Sequence, residues 1–383
     1  MDLDTSAVSA PPTVAAALDW RWALPRILVL FVATRLLLLA IAVAVETTQA
    51  PPAHGIRWTD APLLASLTSF DGRYYLGIAT SGYHATPVFG PFVDYVFFPL
   101  YPAIARAASV LTLGDVDLAG VLVANAAFGL ALVALYALSA RHLTREAALR
   151  SLVFLSLAPG AVAFAMAYSD ALFLLLAACA FLAAETRRPA LMGLLLALAA
   201  LTRPPGLLLA LPLLVLVAQD PALRARHAWA WLFLGPLALA LVVGCTWWLT
   251  GDPLAIVHGQ AIWSQPGAAI TLPQPDGSTV TWVGGPPWAG FVWLGLVAFY
   301  AALFAFFRRD RVPRAYLVLA ILPFIEVLLA GRIRSAPRYL AVAWPFDWVL
   351  ARRRALVGRL VLVAFVAIQC LAAWWAFMSS AAP

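Results

Sequence analysis

Charged residues are scarce in this sequence, and lysine is absent. Of the 383 residues only 11% are charged and 64% are hydrophobic, and all 25 basic residues are arginine. Soluble domains are about 25% charged and about 45–50% apolar. The composition therefore excludes a set of ordinary soluble domains and indicates one membrane-embedded body. The net charge of +7 does not predict a nucleic-acid partner, because the arginines lie between hydrophobic stretches, where the positive-inside rule explains them.

Cysteine is also rare. The sequence has three, all in apolar surroundings and none at CxxC or metal-ligand spacing: Cys179, Cys245 and Cys370. This pattern argues against a disulfide framework or a zinc site. The first apolar stretch continues through Arg35 without a small-residue cleavage site, so we expect no cleaved signal peptide. Residues 1–20, rich in Ala, Pro and Ser, are predicted to be a flexible cytoplasmic tail, and residues 21–383 a single transmembrane domain.

Long hydrophobic runs fill the rest of the chain. About eleven candidate spans are bounded by charges, Pro or Gly: 25–45, 118–140, 151–167, 170–184, 189–202, 205–218, 228–249, 288–307, 313–330, 338–351 and 355–378. Several are shorter than the roughly 20 residues that cross a bilayer. The pair 189–202 and 205–218, separated by Pro204-Pro205-Gly206, is predicted to be a broken or re-entrant hairpin. The sequence thus predicts an all-α polytopic membrane protein.

The arginines also predict an orientation. With a cytoplasmic N-terminus, 17 of the 25 arginines fall in loops on the cytoplasmic side, whereas the long loop 250–287 on the other side has none. This asymmetry is the one that the positive-inside rule describes. We therefore expect the loops 46–117 and 250–287 to face outward.

Seven arginines are exceptions, because they are predicted on the outer side: Arg57, Arg73, Arg106, Arg203, Arg332, Arg334 and Arg338. A single one is explained by contact with lipid headgroups, and for Arg57 we favour that explanation. Three of them lie together in the short segment 331–339. Because the guanidinium fork binds phosphate well, the cluster predicts an outward-facing anion site that suits a lipid-linked phosphate.

The outer loop 46–117 contains an unusually polar and aromatic passage, Ser69–Tyr83, followed by the Pro-rich stretch 97–106. Asp71 precedes a predicted short helix over 72–80. Two interpretations of Asp71 remain open, a helix cap and a general base. Tyr74 and Tyr75 share its helical face and are either sugar-binding or part of an interfacial aromatic belt. The stretch 97–106 is predicted to lie in the membrane interface, with Arg106 near the headgroups.

Two further acids lie near predicted membrane boundaries. Asp170, in Ala167-Tyr-Ser-Asp170, either caps the following helix or has a function, since acids in such positions are costly. Glu326 lies deeper, and we expect a structural pair with Arg35 or Arg332. Asp71 with Asp170 is a weak candidate for holding a divalent metal, and we otherwise expect no metal or cofactor.

Together these motifs resemble a known family. Phe70-Asp-Gly-Arg-Tyr-Tyr-Leu-Gly-Ile-Ala-Thr-Ser-Gly-Tyr83 resembles the Trp-Asp-x-x-x-(Phe/Tyr)-x-x-Ile-Ala-x-x-Gly-Tyr signature of GPI mannosyltransferase II, the phosphatidylinositol-glycan class V family. Phe97-Phe-Pro-Leu-Tyr-Pro…Arg106 resembles its Phe-Phe-Pro-Leu-x-Pro-x-x-x-Arg. Ala158-Pro-Gly…Tyr168-Ser-Asp170 and Ser335-Ala-Pro-Arg-Tyr339…Pro345 are similar to its later elements, and the matches run in order across most of residues 25–350.

The resemblance implies a GT-C glycosyltransferase with a polyprenyl-phosphate sugar as donor and Asp71 as the catalytic residue. The chain departs from the family at Phe70 (Trp in the family), Ala158 (Asn) and Asp170 (Glu). Its compact, Arg-rich character is typical of bacteria, where no GPI anchor is made. The acceptor is therefore expected to be another glycolipid, a glycan or a protein, outside the cytoplasmic membrane.

The expected roles follow from the resemblance and from the charges. Asp71 deprotonates the acceptor hydroxyl, and arginines stabilise the departing lipid phosphate: Arg338, Arg334, Arg332 and Arg203. The expected acceptor-binding or sugar-binding residues are Asp170, Arg73, Tyr74, Tyr75, Tyr168 and Arg106. No nucleotide-binding fingerprint is present, which agrees with a lipid-linked donor. The alternatives are a transporter or flippase of lipid-linked sugars, and the same fold acting on another lipid-linked sugar such as glucose or arabinose.

Overall fold

The structure of the chain is a computed structural model, and it describes residues 18–48, 62–88, 92–263, 270–273, 279–282, 289–330 and 333–377. Arg57, Arg332 and nearly all of the predicted tail lie outside the described residues, and of Arg334 only the backbone is described. The α-helices are α1 (Trp20–Thr48), α2 (Pro62–Leu67), α3 (Asp71–Ser81), α4 (Leu100–Ala108), α5 (Val116–Ser139), α6 (Arg145–Leu157), α7 (Asp170–Glu185), α8 (Pro189–Ala200), α9 (Pro205–Leu208), α10 (Ala210–Gln219), α11 (Pro221–Ala225), α12 (Ala228–Trp231), α13 (Leu234–Thr250), α14 (Ala255–Trp263), α15 (Ala289–Phe307), α16 (Arg314–Ala330), α17 (Ala336–Ala341), α18 (Pro345–Ala351) and α19 (Ala355–Phe377). Short 3-10 turns cover Ser109–Thr112, Pro159–Phe164 and Ile333–Ser335.

The predicted helical class is confirmed. The described part of the predicted loop 250–287 contains α14 and a small antiparallel hairpin, in which β1 (Ile270–Pro273) pairs with β2 (Thr279–Trp282). The predicted helix over 72–80 corresponds to α3, which ends at Ser81, just before Gly82 at φ +82°. The loop 46–117, which is predicted to face outward, carries the short helices α2 to α4.

Fewer described helices than the expected eleven have the length and composition of a membrane span. Within the described ranges, five helical segments are long and apolar enough to cross a membrane: 20–48, 116–139, 228–250, 290–307 and 355–377. The count of about eleven is therefore not confirmed. Several of the shorter candidates are helices packed inside the protein. The helix α7, for example, has 16 residues and buries nearly all of them, because its neighbours cover it on every side.

The break at Pro204-Pro205-Gly206 separates α8 from α9 and α10. Gly206 lies so close to the end of α8 that a Cβ atom there would be 2.1 Å from the carbonyl oxygen of Ala199. Only glycine permits this approach without movement of the backbone. The break leaves Arg203 between two helices, with its side chain buried and directed toward the start of α7.

A second close contact fixes the position of α17. The 3-10 turn Pro159–Phe164 packs against α17 at Gly160, where a Cβ atom would lie 2.0 Å from the carbonyl oxygen of Pro337 and 2.6 Å from the backbone nitrogen of Arg338. The missing side chain at residue 160 therefore lets the backbone that carries Arg338 reach the segment leading to α7.

Residues 100–106 of the stretch predicted to lie in the membrane interface belong to α4, and the segment after α4 carries exposed apolar side chains. Val110, Leu111 and Leu113 are 79%, 87% and 99% exposed, although apolar side chains of this size are normally covered. Three adjacent exposed apolar side chains beside Arg106 are typical of a segment that lies at a membrane surface.

Candidate active site

Asp71 is the first residue of α3, but its carboxylate does not cap the helix. The cap position is Phe70, at φ +53°, and no side chain makes a capping hydrogen bond there. Instead Nη1 of Arg338 donates a hydrogen bond of 2.5 Å to Oδ2 of Asp71. The side chains are 12% and 22% exposed, so the pair is largely enclosed while the carboxylate keeps an open side.

Asp170 has the equivalent position at the start of α7, and again the helix has no side-chain cap. Its carboxylate accepts a hydrogen bond from Nη1 of Arg203 and lies 3.6 Å from Nε of Arg338. Both acids thus stand at a helix N-terminus, where the helix dipole favours negative charge. Their arginine partners come from the break before α9 and from α17.

The four residues form one chain of alternating charge, Asp71–Arg338–Asp170–Arg203. A buried charge is costly unless it is paired, so the alternation explains how two acids and two bases coexist inside a membrane protein. Asp170 is the least exposed member and Asp71 the most exposed. A ligand entering from outside therefore meets Asp71 and Arg338 first.

Two buried polar atoms of this site donate no hydrogen bond among the described residues. They are Nε of Arg338, which lies 3.6 Å from the Asp170 carboxylate, and the hydroxyl of Tyr168, which the backbone N–H of Asp71 approaches. The Arg338 guanidinium carbon lies 5.3 Å from the centre of the Tyr168 ring, so both atoms belong to the same small region. Buried polar groups usually have partners. Unused donors beside Asp71 fit a site that receives polar groups of a ligand.

The two tyrosines of α3 are packed against neighbouring residues. The ring of Tyr74 stacks on Phe97 at 4.7 Å, and the hydroxyl of Tyr75 is 2.7 Å from Oγ of Ser169, next to Asp170. Burial, and then the charge of Asp71, raise the pKa of both phenols far above the usual range. Both tyrosines therefore stay protonated and brace the site, rather than supplying a base.

The two outer-loop arginines brace α3 from other sides. Nη1 of Arg106 donates to the carbonyl oxygens of Ala79 and Thr80, at 3.0 and 3.3 Å, and so binds the C-terminal end of the helix. Burial lowers the pKa of the Arg73 guanidinium to about 9, and the nearby Asp117 carboxylate raises it in part. Neither contact joins these arginines to the chain of four charged residues.

The expected pairing of Glu326 with Arg35 is wrong. Nη1 of Arg35 donates to Oδ1 of Asn125, and its guanidinium lies 4.5 Å from the centre of the Phe128 ring. Glu326 lines an apolar cavity with Phe173 and Trp344, among other side chains. Hydropathy and charge alone could not assign these partners, because they depend on which helices pack together.

One His–Asp pair in the loop 46–117 was not predicted from the sequence. Nδ1 of His84 lies 2.8 Å from Oδ2 of Asp94, whose side chain is only 4% exposed. The only signal was a histidine and an acid ten residues apart, which is too common to be informative. Within the described ranges, no group of three or more His, Cys, Asp or Glu side chains converges on a metal position, and the weak metal site at Asp71 and Asp170 stays a prediction.

Comparison with known proteins identifies a family. The family model described as "Mannosyltransferase (PIG-V)" matches residues 23–219, a range that includes Asp71, Asp170 and Arg203. Arg338 lies beyond it. Among curated proteins, none matches the chain in sequence.

Solved structures share the fold at low sequence identity. The oligosaccharyltransferase of Archaeoglobus fulgidus, tethered to an acceptor peptide, matches 95% of this chain with a TM-score of 0.54 and 15% identity. The archaeal oligosaccharyltransferase AglB from Archaeoglobus fulgidus, in complex with an inhibitory peptide and a dolichol-phosphate, matches 94% of this chain with a TM-score of 0.50 and 14% identity. The chain spans only 56% of the length of either. ArnT of Cupriavidus metallidurans bound to undecaprenyl phosphate matches 94% of this chain, over 77% of its own, with a TM-score of 0.49 and 15% identity.

Proposed function

This chain belongs to the mannosyltransferase (PIG-V) family and is a membrane glycosyltransferase of the GT-C type, and we propose that it transfers mannose from polyprenyl-phosphate-mannose to an acceptor hydroxyl on the outer side of the cytoplasmic membrane. The observation that carries the proposal is the contact between Asp71 and Arg338. It brings a candidate base and a candidate phosphate-binding arginine into one half-open site.

The proposed reaction needs those two roles. The oxygen of the acceptor hydroxyl attacks the anomeric carbon of mannose, and the bond from that carbon to the phosphate oxygen breaks, with inversion. Asp71 takes the hydroxyl proton, and the lipid phosphate leaves with the bonding electrons. Arg338 and Arg203 offset the negative charge of the phosphate, and Asp170 holds both arginines in place. The dolichol-phosphate bound by the archaeal relative supports a lipid-linked donor.

Donor binding has a further consequence for Asp71. Its carboxylate and the phosphate would compete for the same guanidinium, because Arg338 already donates to Asp71. A phosphate that takes over Arg338 releases the Asp71 carboxylate from that hydrogen bond, so its oxygen can accept the proton of the acceptor hydroxyl. The base thus becomes effective when the donor is in place, which limits unproductive chemistry in the free enzyme.

The test is transfer of labelled mannose from polyprenyl-phosphate-mannose in membranes that contain the protein. Asp71→Asn should abolish transfer while expression and folding are retained, since loss of a general base costs about 10²–10⁴-fold. Asp115→Asn is the matched control. It makes the same Asp-to-Asn change in the same predicted outer loop. Asn can replace Asp as the cap of α5, so this variant should fold normally. Full activity of Asp71→Asn would contradict the proposal.

Two other assays separate the alternatives. Polyprenyl-phosphate-glucose and polyprenyl-phosphate-arabinose, offered in place of the mannose donor, should give little product. If the enzyme prefers one of them, that sugar and not mannose is the one transferred. In vesicles with the mannose donor and no acceptor, we expect no net movement of the lipid across the bilayer. Movement without covalent transfer would identify a flippase instead.

A further inference from the structure

His84 and Asp94 form an oriented pair beside α3. In addition to the contact at Nδ1, the backbone N–H of His84 donates to both carboxylate oxygens of Asp94, each at 3.2 Å. Asp94 is enclosed, whereas the side chain of His84 is 45% exposed. The imidazole is therefore fixed at one nitrogen and open at the other.

The chemistry of the pair sets what the open nitrogen can do. An ionised carboxylate only accepts hydrogen bonds, so Nδ1 of a neutral His84 carries the proton that points to Asp94. Its Nε2 then presents a lone pair outward and accepts a hydrogen bond from a hydroxyl group. A buried carboxylate that holds a histidine in one tautomer is a common way of orienting a functional imidazole.

The pair is connected to the site through Phe97. The backbone N–H of Phe97 donates to the carbonyl oxygen of Asp94 at 2.9 Å, and its ring stacks on Tyr74, one helical turn after Asp71. Burial, then Asp71 and then Asp94 raise the pKa of Tyr74, so this phenol lies within electrostatic reach of both acids.

His84 itself follows the end of α3, and the helix axis from Asp71 to Ser81 measures about 15 Å. His84 thus belongs to the same outer surface but stands apart from the reacting atoms.

The helix α14 packs closely against residues 93–96, which include Asp94. A Cβ atom at Gly259 would lie 2.5 Å from Cγ1 of Val96 and 2.9 Å from Cγ2 of Val93. The absence of a side chain at Gly259 allows the close contact, which supports the turn that carries Asp94. The outward face of His84 remains uncovered among the described residues.

We propose that His84, oriented by Asp94, is a positioning residue for the acceptor, and that its Nε2 accepts a hydrogen bond from a sugar hydroxyl remote from the one that attacks. The inference rests on the proposed function and specifies its acceptor as a glycoside, because a second hydroxyl is needed at a distance from Asp71. A purely structural role, in which the pair only ties residue 84 to residue 94, predicts different behaviour of the variants below.

The experiment compares His84→Asn with His84→Gln, using a linear methyl mannotetraoside, long enough to extend along α3 from Asp71, as the acceptor probe and polyprenyl-phosphate-mannose as the donor. The Asn amide can replace Nδ1 and keep the bond to Asp94, but it offers nothing at the position of Nε2. The Gln amide reaches the position of Nε2 with a group that can accept. His84→Asn should keep its thermal stability and raise the KM for the mannoside about ten-fold, the effect of one lost hydrogen bond. His84→Gln should recover part of that loss.

Two reference measurements make the result specific. Hydrolysis of the donor by water should be the same in His84→Asn and the unaltered protein, because water needs no remote hydroxyl contact. His258→Asn should retain the original KM, since His258 makes a similar contact of 2.7 Å with Asp252 on another, more exposed element.

The outcomes distinguish the two proposals. An unchanged KM for the mannoside in His84→Asn would overturn the inference, and so would an equal fall in donor hydrolysis. An unaltered protein that hydrolyses the donor but does not glycosylate the mannoside would also contradict it. A protein that neither hydrolyses the donor nor transfers mannose would contradict the proposed function itself.

Discussion

Nη1 of Arg338 and Oδ2 of Asp71 are 2.5 Å apart, although 267 positions separate the two residues in the sequence. The contact joins the first outer loop to α17 and makes the two side chains interdependent. Removing one partner leaves the other as a largely enclosed charge without compensation, which is more costly than removing both.

This interdependence predicts a non-additive effect on stability. Arg338→Gln should lower the unfolding temperature in detergent clearly, because Asp71 then loses its arginine partner and Asp170 keeps only Arg203. The double variant Asp71→Asn with Arg338→Gln should regain part of that loss. Arg359→Lys, at an exposed position of α19, serves as a control that should change little. Additive losses in the double variant would show that the two side chains are not coupled.

Asp71 and Asp170 should contribute differently to the stability of the fold. Asp170 is 3% exposed and accepts from Arg203, whereas Asp71 is 22% exposed. Breaking a buried ion pair costs about 3–5 kcal/mol, and solvent lowers that cost for a partly exposed one. Asp170→Asn should therefore reduce the unfolding temperature more than Asp71→Asn does, in thermal unfolding of the purified proteins. Equal losses would mean that the difference in burial has no energetic consequence.

The contact at Gly160 predicts a loss of activity from a single methyl group. Gly160→Ala would place that methyl against the backbone of Pro337 and Arg338, so α17 must move and Arg338 with it. Overpacking of this kind costs about 1–3 kcal/mol, and we expect mannose transfer to fall at least about ten-fold. The matched control is Gly244→Ala in α13, where an added Cβ meets nothing within 4 Å. That variant should be active and slightly more stable. Normal transfer by Gly160→Ala would show that the position of α17 is not critical.

The exposed apolar residues after α4 predict contact with lipid. An environment-sensitive fluorophore on Leu113→Cys, in a variant without the three native cysteines, should emit at shorter wavelength in liposomes than the same label on Arg188→Cys. Leu113 is 99% exposed in an apolar segment, whereas Arg188 lies among charged residues on the side predicted to be cytoplasmic. The same emission from both labels would place Leu113 in water.

Local patterns in the sequence predicted local features well. The family resemblance is confirmed by the match over residues 23–219. The helix after Asp71 and the interruption at Pro204-Pro205-Gly206 are also present, because glycine, proline and short polar motifs act on the backbone nearby. These features depend on residues that are neighbours in the chain, so local sequence patterns are enough to predict them.

Long-range partners could not be predicted in the same way. The sequence grouped Arg338 with Arg332 and Arg334, but nothing local indicates that Arg338 reaches Asp71 or that Arg35 binds Asn125. These choices depend on close helix contacts such as Gly160 on α17. Hydropathy also does not distinguish a helix covered by protein, such as α7, from one covered by lipid, so it could not give the number of spans.

The position of Arg338 late in the chain also determines when the protein acquires activity during its synthesis. Asp71 and Asp170 leave the ribosome and enter the membrane well before residue 338 is translated. Until then Asp170 has only Arg203 as an arginine partner among the described residues of the site, and Asp71 has none. A chain stopped between codons 220 and 338 would retain the whole region matched by the family model and should still be inactive. A chain that terminates prematurely, even shortly before residue 338, should therefore be an inactive protein and not an unregulated transferase.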